Sequence, residues 1–86
     1  MPKTILVADD NAAIRKGLCE MFEIEEEYDL CAEAVNGEEA IALAKKHRPD
    51  LIILDLSMPI LNGYDAALEL KRIMPHVPII SLHTLR

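Results

Sequence analysis

Three aspartates stand where apolar runs end. Thr4-Ile5-Leu6-Val7-Ala8 delivers Asp9-Asp10, and Asp50-Leu51-Ile52-Ile53-Leu54 delivers Asp55. A short apolar run of this kind is the pattern of a strand buried on both faces. In an open parallel sheet, ligands collect outside the carboxyl ends of the strands at the topological switch point, so the three acids are expected to share one pocket. Three anions crowded together are costly unless a cation neutralises them. Oxygen donors alone select a hard ion. Mg²⁺, or Mn²⁺ on the same donors, fits: Mg²⁺ takes one or two carboxylates, keeps several waters and bridges to phosphate oxygens. Taken singly, an Asp-Asp pair after a strand is a loop and helix cap, and a lone Asp at a strand end reads the same way. The joint occurrence, with Met58-Pro59 and Asn62-Gly63 following the second run, favours metal-assisted chemistry.

Positioning these acids takes alternating strands and helices. After Asn11, a good N-cap, Ile14, Leu18, Met21 and Phe22 recur at helical spacing with Arg15, Lys16 and Glu20 on the other side, predicting an amphipathic helix that ends near Glu25. A second, less apolar strand spans Tyr28 to Val35. Asn36-Gly37 reads as a turn before a helix from Glu38 to Lys46, whose acids come first and bases last, as the helix dipole prefers, until Pro49 stops it. The third strand ends in Asp55, and Ser57 to Gly63 reads as a loop, because Pro59 lacks a donor and Asn-Gly favours a turn. A third helix from Tyr64 to Met74, halted by Pro75, and a strand from Val77 to Leu82 complete the pattern. Strands alternating with helices at this spacing imply right-handed βαβ units and a parallel sheet with helices on both faces.

Composition narrows the function. The 86 residues hold one small domain with no linker, and their apolar half is mostly Ile, Leu, Val and Ala, with one Phe, two Tyr and no Trp. That suits a packed α/β layer better than a surface for stacking bases. A formal charge of −6 repels nucleic-acid phosphates and anionic lipid, and attracts a metal cation or a basic partner. No nucleic-acid or membrane partner is therefore expected. Cys19 and Cys31 lie in apolar surroundings without CxxC spacing or a nearby His, so both are expected as buried free thiols of a reducing compartment. No stretch approaches the roughly 18 apolar residues of a membrane span, and no basic region precedes an apolar run at the N-terminus. A cytoplasmic location is the expectation.

Ile5-Leu6-Val7-Ala8-Asp9-Asp10 and Asp55-Leu56-Ser57-Met58-Pro59-Ile60-Leu61-Asn62-Gly63 together resemble receiver domains of two-component response regulators, and the resemblance covers essentially the whole chain. It implies a flavodoxin-like sheet of order 2-1-3-4-5, of which this chain would hold 2-1-3-4. It also implies Asp55 as phosphoacceptor, Asp10 as a direct metal ligand, Asp9 as a ligand acting largely through water, and the Ser57 backbone carbonyl as a further ligand. The implied partners are a histidine kinase or phosphotransfer protein and an output domain outside this chain. Such a module assists its own phosphorylation and dephosphorylation and is not an enzyme in the ordinary sense. The chemistry asks a carboxylate to attack an anionic phosphoryl group, so the task is positioning plus charge neutralisation, with no general base. The acyl phosphate places about two negative charges where one carboxylate stood, enough to recruit a hydroxyl and a cation from neighbouring loops.

The sequence also departs from the family. A receiver normally has five βα units, with a lysine closing the fifth strand and a final helix beside the first. Residues 1–86 read as a receiver without its last helices and fifth strand; the last lysine, Lys71, falls inside the third helix, so the lysine's role has no candidate. The family's switch hydroxyl falls five residues after a proline placed like Pro78, which here is His83. Thr84 ranks ahead of Ser81 for that role, because Ser81 falls within the strand, although a short deletion would make Ser81 the equivalent. His83 reads more simply as a solvated bystander than as a ligand, and His47 and His76 receive no role.

Two competing functions share these features. A phosphorylation-independent interaction module would keep the fold and the acids and signal by dimerising. A metal-dependent phosphatase with an aspartyl intermediate wants a second acid two residues beyond its nucleophile, where this chain has Ser57. The fourth strand would leave an open edge at Ile79-Ile80-Ser81-Leu82, and the sheet face beside Ile14, Leu18 and Met21 would lack its usual cover. Either further residues follow Arg86, or two chains cover each other as a homodimer.

Overall fold

In the computed structural model, which describes residues 2–82, two apolar runs form the middle of a sheet. Ile5, Leu6, Val7, Ala8, Ile52 and Leu54 have no solvent exposure, as expected of strands covered on both faces. The elements alternate as β1 (Lys3–Ala8), α1 (Ala12–Glu23), β2 (Tyr28–Ala34), α2 (Gly37–His47), β3 (Leu51–Asp55), α3 (Gly63–Ile73) and β4 (Ile79–Leu82). All three strand pairings are parallel and the order is β2-β1-β3-β4. The chain therefore reverses its direction of travel across the sheet at β1 and β3, and the ends of those two strands carry the acids.

Side chains alternate between two cores. Leu6, Ala8, Ile52 and Leu54 pack with Ala40 and Ala44 of α2 and Ala66 and Leu70 of α3. Ile5, Val7 and Ile53 pack on the other face with Cys19, Leu18 and Phe22 of α1, where Phe22 meets Tyr28 edge-on at 5.6 Å. The stripe that α1 turns to the sheet is Leu18, Cys19 and Phe22. Met21, predicted to share it, is 63% exposed, because it lies about 110° around a helix of 100° per residue from the middle of that stripe.

A bulge interrupts the β1–β2 ladder. Ile5 pairs with Leu30 and Leu6 with Ala32, so Cys31 is the extra residue, and its thiol donates to the Ile5 carbonyl at 3.2 Å. Before the bulge Leu30 faces α1; after it Cys31 and Ala32 both pack toward α2. The inserted residue exchanges the faces of everything downstream, as a register slip of one does. Cys19 is buried as expected, whereas Cys31 is only partly so, since it bulges from an outer strand of the described sheet.

Asparagine caps every helix among the described residues. Asn11 accepts from Ala13 and Ile14 N–H, Asn36 from Glu39 N–H and Asn62 from Asp65 N–H. The predicted Asn36-Gly37 and Asn62-Gly63 turns are therefore caps followed by the first helical residue, and neither glycine has positive φ. Both are glycine for lack of space: a Cβ on Gly37 would stand 2.1 Å from the Leu61 carbonyl oxygen, and one on Gly63 would stand 1.9 Å from that of Asp55. α2 ends on Arg48 in the left-handed region, φ 49°, just before the buried Pro49.

Candidate functional site

Asp9 follows β1 and Asp55 closes β3, neighbouring strands in the sheet. Both are fully buried. Asp10 is partly exposed, and one carboxylate oxygen from each of the three lies within 4.8 Å of the others. The pocket expected from the strand ends thus forms. If all three were ionised, each pair would repel by roughly 3 kcal/mol or more at an effective dielectric of 20. The donor set is all oxygen, which suits a hard divalent cation.

Local hydrogen bonds orient the acids. Asp9 Oδ1 accepts from the Asn11 N–H at 2.8 Å, and Asp55 Oδ1 accepts from the Ser57 N–H at 3.0 Å. Each is an Asx turn that aims a carboxylate along the outgoing loop. Asp9 N–H continues the ladder to the Ala34 carbonyl at 3.0 Å. The loop after Asp55 is held at both ends: Leu56 N–H donates to the Leu82 carbonyl at 3.1 Å, and Gly37 N–H donates to that of Leu61 at 2.9 Å. Between them Ile60 adopts φ 70° while 73% exposed, a strained conformation for a β-branched residue.

Ser57 is exposed two residues beyond Asp55. Ser81 is exposed beside Leu54, one register position short of the Asp55–Leu82 pair. Thr84 and His83 lie outside the described residues. Two concavities, about 550 and 320 Å³, border residues that precede or begin strands, Lys3 and Tyr28 for one and Pro49 and Asp50 for the other. Both lie at the opposite end of the strands from the acids.

Sequence reasoning placed Arg15 on the outward side of α1, and the structure corrects this. Its Nη1 donates to the Asp9 carbonyl at 2.8 Å and its Nε to Glu33 Oε1 at 3.1 Å. With Leu18, Cys19 and Phe22 it forms an i, i+3, i+4, i+7 stripe, so an arginine at the head of a sheet-facing row was the available signal. The same carboxylate borders Cys19. Burial, followed by the Glu33 charge and hydrogen bond, pushes that thiol up to about 11 from 9.0.

The Response regulator receiver domain model matches residues 5–84. The transcriptional regulatory protein PdtaR of Mycobacterium tuberculosis is 48% identical over 79 residues, covering 90% of this chain and 38% of that protein. The response regulator domain of Thermotoga maritima CheB superposes with a TM-score of 0.93 at 28% identity, covering 99% of this chain and 63% of that one. A chain of the CheX–CheY–BeF3–Mg²⁺ complex from Borrelia burgdorferi gives 0.93 at 26%, covering 99% and 64%. The chain spans less than two thirds of the length of each of these proteins. With the match running through nearly every described element and with acids closing its two central strands, the chain belongs to the response-regulator receiver domain family.

Proposed function

We propose that Asp55 accepts a phosphoryl group from a histidine kinase or phosphotransfer protein, with a divalent cation, Mg²⁺ or Mn²⁺, held by Asp9, Asp10, Asp55 and the Ser57 backbone carbonyl. The observation that carries this reading is the gathering of three carboxylates within 4.8 Å at the ends of two neighbouring strands. When bound, the cation would neutralise the crowded anions and the incoming phosphoryl oxygens. The chain's own part is positioning. Burial of Asp55 keeps water from competing, and the Ser57 N–H holds one carboxylate oxygen in a fixed direction. A carboxylate oxygen forms the new bond to phosphorus while the bond from phosphorus to the donor's imidazole nitrogen breaks, and the electron pair leaves with that nitrogen. The attacking group in this step is a carboxylate, so no general base is required.

The relatives extend beyond the matched segment. In the same reading, residues 1–86 supply the first four strands of a receiver, with its remaining strand, its last helices and an output domain elsewhere in a longer regulator. Among the described residues, no helix is long and apolar enough to cross a membrane.

Acetyl phosphate with Mg²⁺ should place one acid-stable, base-labile phosphoryl group on Asp55, and Asp55→Asn should remove it. Borohydride trapping followed by peptide mapping reads the position. A label elsewhere means the nucleophile is wrongly assigned, and no label at all favours the interaction module.

A further inference from the structure

We propose that Arg15 is a positioning residue for the acidic pocket, acting with Glu33 as a bracket that fixes the peptide between Asp9 and Asp10. The inference rests on the metal-site reading above and adds to it residues that touch neither metal nor substrate. The Asp9 carbonyl belongs to the peptide joining the two aspartates. Holding its oxygen at 2.8 Å from Arg15 Nη1 fixes the plane of that peptide, and so the direction in which the Asp10 side chain leaves the backbone. On the amino side, Asp9 N–H is tied to the Ala34 carbonyl. The two aspartates are thereby sewn to β2 at Ala34 and, through the guanidinium, at the adjacent Glu33.

Glu33 supplies more than an anchor. A bare guanidinium beside the pocket would repel the cation that the acids collect. Paired with Glu33, it holds the carbonyl without adding net charge. The Arg15 side chain is 18% exposed and that of Glu33 44%, so the arginine is largely withdrawn from water, where a two-point contact keeps its geometry. The bulge at Cys31 makes the pairing possible. In an unbroken register Glu33 would face α2; the extra residue turns it toward α1, where Arg15 lies. Bulges beside functional sites commonly redirect a side chain in this way.

The test is Mg²⁺ titration calorimetry on the full chain, paired with thermal unfolding in a chelator. Arg15→Met should weaken Mg²⁺ binding about tenfold, the low end for outer-shell partners of metal ligands. Arg15→Lys, which keeps the charge but cannot bridge both oxygens, should also bind more weakly while its metal-free unfolding matches wild type. Glu33→Gln, a half-exposed change that retains an acceptor oxygen, should lose about threefold at low ionic strength and recover with salt. Should Arg15→Met fail to fold, the lysine and glutamine variants carry the test. Wild-type affinity in both overturns the bracket, as does a loss of unfolding temperature with unchanged affinity. Asp10→Asn, run in parallel, should abolish binding; if it binds as wild type does, the pocket assignment itself fails, and the bracket falls with it.

Discussion

Two glycine-to-alanine changes should move stability in opposite directions. Gly17 lies on the exposed side of α1, and a Cβ there meets nothing within 4 Å. Gly17→Ala should therefore gain the helix-propensity difference, about 1 kcal/mol. Gly63 begins α3 against the end of β3, and its Cβ would stand 1.9 Å from the Asp55 carbonyl oxygen and 2.6 Å from the Asp55 carbonyl carbon and Leu56 Cα. All three are backbone atoms of a strand end that cannot rotate away. Ordinary contact begins near 3.5 Å, so the first turn of α3 must retreat by roughly 1.5 Å. Such overpacking costs about 1–3 kcal/mol, and weakening the Gly63 N–H bond to the Leu56 carbonyl adds about 1. A net loss near 3 kcal/mol corresponds to roughly 15 °C in a domain of this size, against a rise of roughly 5 °C for Gly17→Ala. Whatever part of the strain the Asp55 carbonyl takes up shifts Asp55 itself, and a misplacement of about 1 Å lowers the rate of a positioned reaction on the order of 100-fold. Urea unfolding and the initial rate of phosphorylation by acetyl phosphate measure both effects. Equal stability of the two variants would refute the contact argument.

Ile60→Gly should stabilise the chain by about 1 kcal/mol, because relief of a β-branched residue at φ 70° exceeds the chain entropy that glycine adds; a lower urea midpoint would show that the residue is not strained. Asn36→Ala should cost about 1 kcal/mol by stripping the cap from Glu39 N–H, measured as a shift in midpoint without change in slope. For Cys19, the thiol is raised to about 11 in the folded chain from 9.0, so the native state holds this proton more tightly than the unfolded one. That contribution is whole below pH 9 and is lost as pH rises through about 11. Subtracting the alkaline stability profile of Cys19→Ala from that of wild type should expose the decline, and parallel profiles would contradict the assignment.

The parallel sheet and the meeting of Asp9, Asp10 and Asp55 were legible in the residue pattern, whereas the strand order came from the resemblance to receiver domains. The two apolar runs are long enough for one strand each, each ends in acid, and parallel βαβ winding leaves few ways to place them. Such features depend on local pattern and on chain connectivity, both of which sequence records directly. The roles of Gly37 and Gly63 were misread as turn chemistry, because the atoms that forbid a Cβ come from Leu61 and Asp55, brought close only by packing. Arg15 was misread for a related reason. A helical stripe is assigned from its apolar members, and a cation whose partners are a loop carbonyl and Glu33 of another strand leaves no hydrophobic trace. The face that Glu33 presents was undetermined until the bulge at Cys31 set the parity of β2. A one-residue insertion in a ladder is decided by both strands together, and so by tertiary structure alone.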